Sequence, residues 1–143
     1  MDYSYGEMSV FSRSLFASLF AGFIATCIME FFDLIYRSIT GYNPSLVINV
    51  STIIFGAFIP CIVAGIIFYV LVSYVKSGVL IFRVLFLALT AWACSMALQS
   101  HYGGNLPILV GFRGLVLGCI AILTIFIVVF IPYFFKNNKA FLD

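Results

Sequence analysis

Four stretches of the chain, at 15–35, 53–75, 80–98 and 109–135, consist almost entirely of apolar side chains. A bilayer core about 30 Å thick is crossed by roughly 20 apolar residues in helix, and each stretch reaches that length. Strands of a transmembrane barrel would instead show segments of about ten residues with alternating polarity. These runs are longer and do not alternate, so helices are expected. Composition points the same way: 64% of the 143 residues are hydrophobic and 8% are charged. Soluble domains carry about 25% charged residues. Seven Lys and Arg with five Asp and Glu could not cover the surface of a water-soluble fold. That excludes a soluble enzyme, a nucleic-acid binder and a disordered tail, and a net charge of +2 is too small to call for a polyanionic partner. The expectation is an all-α integral membrane protein, an antiparallel four-helix bundle forming a single transmembrane domain over 1–143.

The segments between the spans are short. Gly41 and the pair Asn43-Pro44 mark a turn after the first span, Lys76-Ser77-Gly78 a tight turn after the second, and Gly103-Gly104 a turn before the fourth. The first run is longer than the 7–15 apolar residues of a signal peptide and ends in Glu30, Asp33 and Arg37, so it reads as a retained helix. The Met-Asp start is no myristoylation signal and the Ala-Phe-Leu-Asp end no prenylation box. Asn49-Val50-Ser51 matches a glycosylation sequon but abuts the second span.

Four spans place both ends of the chain on one side. Arg13, Lys76, Arg83, Lys136 and Lys139 collect there, against Arg37 and Arg113 on the other. By the positive-inside rule the protein is a multi-pass component of the cell membrane with cytoplasmic termini. Lys76 and Arg83 then read as inner-face anchors for anionic lipids.

The first span has two faces. Ser14, Ser18, Gly22, Thr26 and Glu30 recur in steps of four, flanked by Ala21 and Ala25, while Phe16, Phe20, Phe23, Cys27, Phe31 and Leu34 lie opposite. No water drives helices together inside a membrane, so close packing of small residues does much of the work. The small stripe is expected to face other helices and the phenylalanines to face lipid. Comparable stripes are Gly56, Pro60, Ala64 and Gly65 in the second span, and Ala88, Ala91, Ser95 and Gln99 in the third. The fourth carries Gly111, Gly114, Gly118 and Ala121, with a G-x-x-x-G at Gly114 to Gly118. That motif serves packing either inside the chain or between chains. Pro60 removes a backbone hydrogen bond near the carbonyl of Gly56.

Glu30 and Asp33 are the most informative polar pair. Measured from Ala25 at mid-span, they lie roughly 7 and 12 Å towards the outer side. An ionisable group inside the hydrocarbon is expensive unless paired or hydrated, which makes it a functional-site hypothesis. Asp33 and Arg37 stand four residues apart and can pair along the helix. Partners for Glu30 at similar depth are Gln99, His101 and Arg113, although Arg113 points about 120° away from its helix's glycine stripe. The expected outer-side polar cluster is therefore Glu30, Asp33, Arg37, Gln99, His101 and Arg113. It could exchange protons or ions, or form the mouth of a site for a small polar ligand. The plainer alternative is a charge network locking the outer helix ends, or side chains that snorkel to the interface.

Other chemistry finds little support. Cys27, Cys61, Cys94 and Cys119 fall one per span without a C-x-x-C, and a lone thiol in an apolar helix is usually a packing residue. His101 is the only histidine and has no neighbouring ligands, so neither a metal site nor a cofactor is expected. Ser100 beside it cannot face it along a helix. Trp92 lies mid-span, suited to core packing or a partner contact. Tyr36, Tyr42, Tyr69, Tyr74, Tyr102 and Tyr133 lie near span ends, where aromatic belts belong.

The segments from Leu19 to Thr26, from Ile59 to Tyr69, Ile81-Phe82-Arg83 and Gly111-Phe112-Arg113-Gly114 together resemble a family of uncharacterised small bacterial four-span membrane proteins. The resemblance implies the four-span fold and a bacterial source, and it carries over no activity and no site residue. The leading expectation is thus a non-enzymatic bundle that acts by helix association, as a homo-oligomer or as an accessory subunit beside another membrane protein. A proton- or ion-coupled transporter or channel using Glu30 and Asp33 is the alternative, and a lipid-modifying enzyme ranks last.

Overall fold

The computed structural model describes residues 9–41, 48–99 and 106–137. Helix α1 spans Val10–Thr40, α2 Val50–Tyr74 and α3 Gly78–Gln99. Helix α4, Leu106–Ile125, runs through a π-helical turn, Phe126–Phe130, into α5, Ile131–Lys136. No strand occurs among the described residues. Four helical stretches, Val10–Thr40, Val50–Tyr74, Gly78–Gln99 and Val110–Lys136, are long and apolar enough to cross a membrane. The chain is an all-α, multi-pass bundle, as its hydropathy predicts.

The first helix outruns its apolar run at both ends, because hydropathy marks what sits in oil and capping marks where a helix stops. The Ser9 side chain accepts from the Ser12 amide at 3.2 Å to start α1. Gly41 ends it at φ 66° with its amide donating to the Arg37 carbonyl, a left-handed cap that glycine adopts without a Cβ penalty. Asn49 of the sequon caps α2, its Oδ1 accepting from the Thr52 amide at 2.9 Å. A Cβ on Gly78 would meet the Leu71 carbonyl, so the tight return from α2 into α3 depends on glycine there.

The helices form a ring. α1 packs along α2 and against α4 and α5, and α3 closes the ring between α2 and α4. Arg13 of α1 bonds the backbone of Phe135 in α5, so both ends of the described chain lie at one end of the bundle. We call this the terminal end; the α2–α3 turn lies there too. The core has two parts. The terminal-end part gathers Ala17, Ala21, Cys61, Phe68, Phe82 and Ile131. The far-end part gathers Met29, Ile48, Ile53, Ala57 and Leu115. Helix α3 contributes Phe82 to the first part and no buried residue to the second.

The face assignment for α1 holds. Ser14, Ser18, Gly22, Thr26, Ala21 and Ala25 are buried, and the phenylalanine face is exposed. The hydroxyls donate to carbonyls of their own helix (Ser14 to Val10, Ser18 to Leu15, Thr26 to Gly22). They therefore act as small, internally satisfied groups rather than as bonds between helices. Gly22 lies against Cys61 and Gly65 against Ser18.

Three expectations are corrected. Gly56 is exposed, and a Cβ there would meet nothing within 4 Å; it borders a cleft instead of packing a helix. Pro60 is half-buried, with Cys61 and Ala64 beside it taking the buried positions. The stripe Ala88, Ala91, Ser95 and Gln99 of α3 faces outward, and α3 turns Phe82, Phe86, Thr90 and Ala97 towards the bundle. Bulk decided this orientation: the Phe82 ring packs edge-on against Phe68 at 4.9 Å, and Phe86 lies tilted beside it at 4.6 Å. Trp92 is 63% exposed, which excludes core packing.

The π-turn was not legible in the sequence. Pro132 has no amide hydrogen to continue the α-helical ladder, and the helix widens just before it. Its five-residue bond runs from the Ile131 amide to the Phe126 carbonyl. Phe134 then meets Phe20 of α1 edge-on at 4.9 Å.

Candidate functional site

The far end of α1 holds the acidic pair. Asp33 is buried, and its Oδ2 lies 2.7 Å from Arg37 Nε in an ion pair, one helical turn on. Arg37 Nη2 also donates to the Ile48 carbonyl at 2.8 Å, just before α2 begins. One guanidinium thus neutralises Asp33 and clamps the end of α1 to the start of α2. Glu30, three residues before Asp33, is half-buried and feels the fields of both Asp33 and Arg37. Its Oε1 has no hydrogen-bond partner.

Helix α4 is seated on this end by two aromatic side chains. Cβ atoms placed on Gly114 and Gly118 would collide with Tyr36 and Phe32 respectively. The Tyr36 hydroxyl donates to the Gly111 carbonyl at 2.8 Å. The G-x-x-x-G is therefore used inside the chain, as a slot for two aromatics four residues apart on α1. That register puts Arg113, half-buried, level with Arg37 and one turn beyond Asp33. It also brings Cys119 within electrostatic reach of Asp33 and Glu30.

Of the six residues expected to cluster, α1 supplies Glu30, Asp33 and Arg37, and α4 supplies Arg113, level with Arg37. Gln99 does not join them. It is exposed, and its amide donates to Ser95 on its own helix at 3.1 Å. His101 lies outside the described residues. Lys76 and Arg83 are exposed at the terminal end, the opposite end of the bundle from this site.

Beside the acidic pair lies a cleft of about 200 Å³ lined by Met29, Ile53, Gly56, Val116, Cys119 and Leu123. A second, of about 260 Å³, opens between α3 and α4 beside Pro60, Phe86, Trp92 and Ile120. The walls of the first are apolar apart from Thr52 and Cys119, and the second holds only Thr90 and Thr124 as hydroxyls. Those two bond each other at 2.8 Å, joining α3 to α4. Among the described residues no group of three His, Cys, Asp or Glu could hold a metal ion, and all four cysteines are free thiols. The arrangement as a whole is a charge lock flanked by apolar clefts.

Sequence reasoning missed Phe32 and Tyr36. The available signal was their spacing, which matches the two glycines they fill. It also missed the Ile48 carbonyl, which no side-chain pattern encodes. No family model, curated protein or solved structure matches this chain.

Proposed function

We propose that the protein acts by lateral association in the cell membrane, with cytoplasmic termini, as a homo-oligomer or as a subunit of a larger membrane assembly joined through α3. The observation that carries this reading is the imbalance in burial. Only 6% of the apolar stretch of α3 is buried, against 39% for α1. Its outward face shows Ala88, Ala91 and Ser95 beside the exposed indole of Trp92. Lipid gains little from small residues, whereas a facing helix gains close backbone approach. Replacing Ala91 by Leu should weaken association by about tenfold, roughly 1.4 kcal/mol, as read by native mass spectrometry after gentle extraction. Cys27→Leu on the lipid face of α1 should leave it unchanged. Wild-type protein running as an isolated monomer with no co-purifying partner would count against the reading.

A second reading, coupling to protons or ions through Glu30, is favoured by the unpartnered Oε1 of that side chain. Glu30→Gln should then abolish proton- or ion-dependent flux in proteoliposomes while assembly persists. If the change merely loosens the bundle, the group is structural.

A further inference from the structure

We propose that the terminal end of the bundle carries a binding site for a phosphate anion, best matched by the phosphodiester headgroup of an anionic phospholipid. The site is an open groove of about 600 Å³ where Arg13 of α1, Arg83 of α3 and Lys136 of α5 converge, with Tyr133 and Phe135 in its wall. It lies at the other end of the bundle from the acidic pair and does not depend on the association reading.

Three features make it more than a scatter of surface charge. Arg13 is held in place. Its Nη2 donates to the Phe135 carbonyl at 2.6 Å and its guanidinium sits 4.7 Å over the Phe135 ring. Its Nε is buried and has no hydrogen-bond partner. A fixed, planar guanidinium suits a tetrahedral oxyanion. Next, no described carboxylate lies at this end of the bundle. The described carboxylates are Glu30 and Asp33, and Glu30 is about 25 Å further along α1 at 1.5 Å per residue. Finally, the groove is amphipathic. Val129 and Pro132 of the same wall lie deeper along the last helix than Lys136, where the first methylenes of an acyl chain would lie. Basic pockets between membrane helices bind anionic headgroups by this combination.

The test is native mass spectrometry of the detergent-solubilised full chain, titrated with phosphatidylglycerol and, separately, with phosphatidylcholine of the same chain length. Phosphatidylglycerol should bind more tightly. Arg83→Gln and Lys136→Gln, both at exposed positions, should each weaken it by about fivefold and leave phosphatidylcholine unchanged. Lys76→Gln removes the same charge at the same end but outside this groove, and should change binding by less than about twofold. Retention of phosphatidylglycerol in millimolar inorganic phosphate assigns the site to lipid, and displacement assigns it to free phosphate; both outcomes support the site. Equal binding of the two lipids, or an equal loss in Lys76→Gln and Arg83→Gln, would overturn it.

Discussion

Gly65 and Gly56 lie nine residues apart on α2, and the same substitution at each should have opposite signs. A Cβ on Gly65 would fall 2.5 Å from Ser18 Cβ and 3.2 Å from the Ser14 carbonyl oxygen. Carbon atoms pack comfortably at about 3.5–4.0 Å, so α1 and α2 would have to part locally by about 1 Å. A rotamer change does not relieve this, because the clash includes the Cβ of Ser18 and a backbone carbonyl. Separation would also open gaps at Ala17 and Ala21, both 0% exposed. Overpacking of this kind costs about 1–3 kcal/mol, against a gain of about 0.5–1 kcal/mol from replacing a helical glycine by alanine. Gly65→Ala should therefore destabilise by roughly 1–2 kcal/mol, while Gly56→Ala, with open space around it, should stabilise by up to about 1 kcal/mol. Reversible unfolding in mixed detergent micelles reads both. Ser18→Gly should rescue Gly65→Ala by handing the space across the interface, a coupling visible in a double-mutant cycle. Equal stability of the Gly65→Ala and Gly56→Ala proteins would refute the packing argument.

Three further outcomes are expected. Gly118→Ala should cost about 1–3 kcal/mol by displacing the Phe32 ring, and Phe32→Leu in the same chain should recover part of the loss in the same unfolding assay. Asp33→Asn strands the Arg37 guanidinium and should cost up to about 3 kcal/mol; the double change Asp33→Leu with Arg37→Met should cost less than that, because isolating one buried charge is worse than removing both. Thr124→Val breaks the Thr90–Thr124 bond and should cost about 0.6–1.7 kcal/mol, seen as a wider distance between spin labels on α3 and α4.

The polar end of α1 was partly legible before any coordinates. Asp33 and Arg37 stand one turn apart, so their pairing needed no knowledge of the fold. Arg113 follows from depth alone, and the Phe32–Gly118 and Tyr36–Gly114 register sets it level with Arg37, one turn beyond Asp33. Gln99 was misplaced because depth says nothing about direction: its side chain turned back to Ser95 along its own helix. The basic groove escaped notice because its members, Arg13, Arg83 and Lys136, lie on three different helices.

The sequence by itself determined that the chain forms four apolar helices, because oil cannot solvate backbone amides and a run long enough to cross it must bond to itself. It also determined the buried face of α1, where serines, glycine and threonine share one side and phenylalanines the other. The tertiary structure alone decided which side of α3 turns inward and what fills the glycine slot of α4. In water, polarity separates inside from outside; in a bilayer the lipid is as apolar as the core, so hydropathy no longer distinguishes them. The choice passes to shape, and here the rings of Phe82 and Phe86 outweighed the small residues on the opposite side of the same helix.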